Sequence, residues 1–86
     1  MESYRVLLRK SAAGELDRLA GKDLERVVRR IQGLAADPRP RGCEKLSAQE
    51  QYRVRQGDYR ILYSVDDAER EVVVVKIGHR GEVYRR

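Results

Sequence analysis

The stretch Gln51-Tyr52-Arg53-Val54-Arg55-Gln56-Gly57-Asp58-Tyr59-Arg60-Ile61-Leu62-Tyr63-Ser64-Val65 decides how this chain folds. Tyr52 and Val54 alternate with Arg53 and Arg55, and Tyr59, Ile61, Tyr63 and Val65 alternate with Arg60, Leu62 and Ser64. Successive side chains of a strand point to opposite faces, so each half reads as a strand with one apolar side. Gly57-Asp58 between them is a two-residue hairpin turn of the type that begins with glycine. That turn sets Gln56 opposite Tyr59, Arg55 opposite Arg60, Val54 opposite Ile61, Arg53 opposite Leu62 and Tyr52 opposite Tyr63. Facing residues share a side of the sheet. Tyr52, Val54, Ile61 and Tyr63 therefore form the core side, and Arg53, Arg55 and Arg60 gather on the other.

Downstream, Asp66 to Arg70 reads as a turn and Val72 to Ile77 as a β-branched central strand, broken at Gly78-His79-Arg80-Gly81. Glu82 to Arg86 is a short tail. Upstream, residues 41–50 read as a loop, and Asp37-Pro38-Arg39-Pro40 stops a helix because proline removes a donor and disfavours the helical region before it. That helix carries Leu24, Val27, Val28, Ile31, Leu34 and Ala35 at steps of three and four, with Asp23 as its expected N-cap. Its opposite face, with Glu25, Arg26, Arg29 and Arg30, reads as solvated, Glu25 and Arg29 forming an i,i+4 pair. A first helix starts at Ser11 as N-cap, carries Ala12, Leu16, Leu19 and Ala20, and ends at Gly21. Tyr4 to Arg9 is a short strand. The expected fold is α+β in one domain, residues 1–86: an N-terminal strand, an antiparallel helical hairpin and a three-stranded antiparallel meander, in two layers.

A chain of 86 residues supports one core, which excludes a multidomain enzyme. No run of 18 apolar residues suggests a membrane span, and Met1 to Arg5 lacks a secretory apolar core. The single cysteine, Cys43, fits a reducing cytoplasm and reads as incidental. One Cys and one His do not build a Cys/His zinc site, so the chemistry is expected to need neither metal nor cofactor. Lys and Arg number 19 against 14 Asp and Glu, a net charge of +5. The acids cluster in the turn at Asp66, Asp67, Glu69 and Glu71. Arg53, Arg55, Arg60, Lys76, Arg80, Arg85 and Arg86 form a segregated basic set that suggests a polyanionic partner.

Opposed arginines destabilise a strand pair, so the patch has two readings. Either the long stems cover Leu62 on a solvated face, or the guanidinium forks cradle phosphate. Arg80, at the end of the last strand, is placed to add a fourth guanidinium. His79 is either a strand-end residue bonded to a carbonyl or a group in the chemistry, since histidine is the side-chain type whose unperturbed pKa lies near neutrality. Tyr84 either stacks on a base or packs the tail.

The segments Asp37 to Gly42, Lys45-Leu46, Tyr52 to Tyr63, Gly78-His79-Arg80 and Glu82-Val83-Tyr84-Arg85 together resemble the RelE/ParE toxin superfamily, above all its RelE branch. The resemblance covers nearly the whole chain. It implies a toxin of a type II toxin–antitoxin system that enters the ribosomal A site and cuts mRNA without metal, by attack of a ribose 2′-hydroxyl on the adjacent phosphate. It also implies a cognate antitoxin, a separate acidic amphipathic chain, with the ribosome and mRNA as the other partners. The family's catalytic positions fall on Arg53, Arg55, Arg60, Arg80 and Tyr84, with Arg53 and Arg60 stabilising the phosphorane and Arg80 as proton donor. Well-studied relatives carry lysine where this chain has Arg53 and Arg55, and arginine is a poor general base. Positioning and electrostatics then suffice, or His79 is the base, or activity is weak. The alternative function is that of a ParE-like toxin that binds and inhibits DNA gyrase; a degenerate member kept as a binding partner is a third.

Overall fold

The computed structural model describes residues 3–46 and 50–79. The elements in chain order are β1 (Arg5–Leu8), α1 (Lys10–Asp17), α2 (Gly21–Gly33), β2 (Glu44–Lys45), β3 (Gln51–Gln56), β4 (Tyr59–Asp66) and β5 (Glu71–His79). They build a five-stranded sheet in the order β1-β5-β4-β3-β2, with both helices lying in the connection after β1. The β3–β4 ladder has the register the alternation requires, from Gln51 opposite Ser64 to Gln56 opposite Tyr59. Gly57 takes φ +62, the left-handed value that the first turn position demands.

The meander is thus three antiparallel strands, and two further strands extend it. β1 pairs with β5 in parallel, so the sheet is mixed. Within the expected loop 41–50, Glu44 and Lys45 form β2 on the edge of β3, opposite Arg53 and Tyr52. Two charged residues carry no alternation to read, and a short charged strand is what protects an edge from further pairing.

Tyr52, Val54, Ile61, Tyr63 and Val65 are all at most 5% exposed and share the core with Val27, Ile31 and Leu34 from α2 and its C-cap. Burying side chains of this size contributes about 1.5–3 kcal/mol each. The fully buried Tyr63 keeps its phenol satisfied by donating to the Pro38 carbonyl at 2.7 Å, which ties the loop after α2 to the sheet.

Helix boundaries differ from the expectation. The N-cap of α1 is Arg9, extended and without a side-chain bond, two residues before Ser11. Ser11 is inside the helix, and its hydroxyl donates to the Val75 carbonyl at 3.3 Å. α1 ends at Asp17, and Gly21, at φ +59, opens α2 instead of closing α1. Ala20 is the N-cap of α2, and Asp23 lies in its first turn, where a carboxylate favours the positive helix end. Glu25 and Arg29 do not form an ion pair. Neither described helix is long and apolar enough to cross a membrane.

β5 is longer than its β-branched run, continuing through Gly78 to His79. It also carries a bulge. Leu62 pairs with Lys76 but Tyr63 with Val74, so Val75 is an extra residue in the ladder. Unbroken alternation from the buried Val72 and Val74 would send Lys76 inward. The extra residue reverses the parity, and Ile77 packs in the core at 4% exposed. Beyond the end of β1, the β5 edge is covered by Glu15 of α1. Its carboxylate accepts from the Ile77 backbone N–H at 2.7 Å and from Lys76 Nζ at 2.8 Å.

Arg39 pins the far end of the sheet. Its Nε donates to the Tyr52 hydroxyl at 2.9 Å, its two terminal nitrogens donate to Asp67 at 3.2 and 2.9 Å, and Nη2 also donates to Glu50 at 3.1 Å. Tyr4 donates to Asp67 at 2.6 Å, so the start of the chain joins the same network. The Arg39 hydrogen bond holds the Asp67 carboxyl below its ordinary range, and bonds from Tyr52 and then Arg39 do the same for Glu50. Groups with depressed pKa values stabilise the fold above the ordinary carboxylate range, and that contribution disappears as pH falls through their folded values. Arg39→Ala is expected to cost about 1 kcal/mol for a network on a partly exposed guanidinium, or roughly 4–8 °C in Tm. Thermal melts from pH 7 to pH 3 should show the loss at neutral pH and a shallower acid decline in the variant; equal melts would remove Arg39 as the tie.

Candidate active site on the arginine face

On the outer face of β3–β4, Arg53 stands opposite Leu62 and Arg55 opposite Arg60. Arg60 in turn faces Gly78 of β5, which carries no side chain. The three arginines share a face but not an environment. Arg55 is exposed, the Arg53 side chain is 17% exposed, and Arg60 is only 7% exposed. Arg60 is thus not the solvent-facing residue that alternation alone suggests.

A residue outside the expected set completes the patch. β2 places Glu44 directly opposite Arg53. Arg53 Nε and Nη2 both donate to Glu44 Oε1, at 2.9 and 2.6 Å. The Glu44 carboxyl is held below the usual glutamate range, first by this hydrogen bond and then by the Arg53 charge, with smaller contributions from Arg55 and Arg60. One carboxylate therefore lies in the field of all three guanidiniums. It offsets part of the like-charge cost of the patch, and it is a proton acceptor on that face. The sequence signal for it is faint: a glutamate nine residues before Arg53, in a segment with neither alternation nor an apolar side.

His79 goes elsewhere. It pairs with Tyr59, on the helix-facing side of the sheet, and its ring meets Tyr59 edge-on at 5.3 Å and 87°. The bulge at Val75 puts it there, since unbroken alternation sets His79 on the face away from Val72 and Val74. Lys76 has its ammonium committed to Glu15 on α1. Arg80, Tyr84, Arg85 and Arg86 lie outside the described residues. Arg53, Arg55 and Arg60 are the members of the expected set that the described fold brings together.

The arrangement suits an anion with several oxygens. Guanidinium forks donate bidentately to phosphate, and cations fixed before reaction stabilise charge developing on a phosphorane.

The family model described as ParE toxin of type II toxin-antitoxin system, parDE, matches residues 6–84. The chain is 32% identical over 84 residues to Toxin RelE of Mycobacterium tuberculosis, a match that covers 95% of this chain and 87% of that one. It is 43% identical to Toxin RelG of the same organism over 35 residues, which spans 41% of this chain and 40% of that relative. Among solved structures, the archaeal RelE–RelB complex from Pyrococcus horikoshii superposes with a TM-score of 0.82 at 31% identity, covering 91% of this chain and 96% of that one.

Proposed function

The chain belongs to the RelE/ParE superfamily of type II toxin–antitoxin toxins, and on that premise we propose that it is a ribosome-dependent mRNA endonuclease working from the Arg53–Arg55–Arg60 face. The observation that carries this reading is the placement of Arg53, Arg55 and Arg60 on one outer face of the β3–β4 hairpin, with Arg53 hydrogen-bonded to the Glu44 carboxylate at its edge. In the reaction the 2′-hydroxyl oxygen bonds to phosphorus and the 5′-oxygen bond breaks, leaving a 2′,3′-cyclic phosphate and a 5′-hydroxyl. Arg53, Arg55 and Arg60 balance the added negative charge of the phosphorane. Glu44 takes the proton from the 2′-hydroxyl, a role arginine fills poorly. Arg80 gives a proton to the 5′-oxygen and Tyr84 stacks on a base, as the family resemblance implies.

The reading extends to partners. A structural neighbour of this fold is solved as a RelE–RelB complex, and a cognate antitoxin of acidic amphipathic character matches a chain of net charge +5. The toxin acts in the cytoplasm on translating ribosomes. Gyrase inhibition is the competing reading, favoured by the ParE description of the matching family. It makes no demand on an arginine cluster aimed at phosphate.

Purified protein incubated with a defined mRNA, with and without programmed ribosomes, separates the two. Primer extension is expected to map cuts inside the A-site codon only when ribosomes are present. No cuts from a folded preparation, together with loss of gyrase supercoiling activity, would overturn the nuclease reading.

A further inference from the structure

The outer side of α2 is not the plain solvated face its sequence suggests. Arg26, Arg29 and Arg30 line a cleft of about 400 Å³ closed by Pro40 and by Gln56 at the end of β3. The spacing i, i+3, i+4 puts the three on one side of the helix. Among the described residues no carboxylate forms an ion pair with any of them. Arg30 Nε is buried and has no hydrogen-bond partner. A buried donor left in this state is costly, and it marks a place where an acceptor is expected. A smaller cleft shares Arg26 and Gln56 and runs on to Tyr59 and His79, but it also carries the carboxylates of Asp23 and Asp58, so the anion-binding end is the Arg26–Arg29–Arg30 end. The two form one groove on the helix side of the hairpin end, because Gln56 and Tyr59 share the inward parity of Tyr52 and Val54. Arg55, one residue before Gln56, points to the opposite face.

We propose that this groove binds an RNA phosphodiester other than the one cut at the arginine face. The inference rests on the RNA-cleavage reading and deepens it, since it gives the protein a second hold on RNA backbone. Arg26 and Arg29 supply exposed forks, the Arg30 Nε supplies the buried donor, and Gln56 supplies an amide. An acidic peptide fits less well. Leu34, the large apolar residue of the cleft wall, is 1% exposed and already spent on the core, which leaves no pocket for an anchoring side chain.

The test is fluorescence anisotropy with a labelled, fully 2′-O-methylated RNA hairpin, which cannot be cleaved, titrated at several KCl concentrations. Arg26→Gln/Arg29→Gln changes two exposed residues and should leave the melting temperature unchanged. It is expected to weaken RNA binding about tenfold near 0.1 M salt and to reduce the slope of log K against log salt by about 1 to 2. Arg30→Lys keeps the charge but lacks the Nε donor, so affinity should fall with little change in slope. Wild-type affinity and slope in both variants would overturn the proposal. So would a glutamate decapeptide that binds the wild type more tightly than the RNA and loses binding in the double variant, because the groove would then belong to an acidic protein segment. Arg55→Ala in the same titration separates this failure from that of the cleavage reading. If only Arg55→Ala weakens binding, the groove is wrong and the arginine face stands. If the groove variants weaken binding while ribosomes yield no cuts, the groove stands and the cleavage reading fails.

Discussion

Arg55→Ala is expected to lower ribosome-dependent mRNA cleavage by about 10²–10³-fold while leaving stability within about 0.5 kcal/mol of the wild type. The two halves of that expectation have separate causes. Arg55 is exposed and faces Arg60, so its small attraction to Glu44 is set against a like charge directly across the strand pair, which is destabilising. Its removal relieves repulsion and opens no cavity. The reaction, in contrast, adds negative charge at phosphorus, and a guanidinium beside it stabilises that charge. Single-turnover cleavage on programmed ribosomes, paired with a thermal melt, checks both halves. Wild-type cleavage in the variant would remove Arg55 from the site. Arg60 does not offer so clean a test by alanine substitution. At 7% exposed it is embedded in the sheet face, and truncation would leave a void.

The second large effect belongs to Glu44. Glu44→Gln keeps the shape of the side chain and a hydrogen-bond acceptor for Arg53, but loses the carboxylate as a proton acceptor. Cleavage should fall by about 10²-fold or more, the usual contribution of a positioned base. Affinity for uncleavable RNA should hold or improve, because a negative charge leaves a basic face. This split is diagnostic. If Glu44 only neutralises Arg53, the substitution frees a guanidinium for phosphate, and cleavage rises instead of falling. The pH profile adds a further check. Hydrogen bonding from Arg53 holds the carboxyl below the usual glutamate range. A base works when deprotonated, so activity is retained well into acid and lost only as pH falls through that lowered value. Arg53→Ala removes the largest cause of the depression and should move the acid limb of the profile upward.

Glu44 also shows why the site is only partly legible in the sequence. The arginine pairs follow from the hairpin alone, and alternation about Gly57-Asp58 is enough to put Arg53, Arg55 and Arg60 on one face. His79 and Glu44 escape the same reasoning for different reasons. A single inserted residue, Val75, inverts the parity of β5 beyond it and carries His79 to the helix side, away from the arginines. Glu44 sits in a two-residue strand, which has no period to detect. The arginines of α2 read as a solvated face because helical spacing shows only which residues share a side. It does not show that Gln56 and Pro40 close a cleft against them.

What the sequence determines by itself is the hairpin at the centre: which residues alternate, where Gly57 turns, and therefore which side chains face one another. Those are local facts, fixed by a period of two along a continuous ladder and by a turn that needs a left-handed residue. It also determines the α+β class, through the change from a helical to a strand period near residue 51. The tertiary structure alone decides the parity beyond the bulge, the pairing of β2 with β3 and the closing of α2 over the hairpin end. Each of these is selected by contacts between segments far apart in the chain. An unsatisfied strand edge, a core position to fill or a neighbouring helix sets them, and none leaves a periodic mark on the residues it moves.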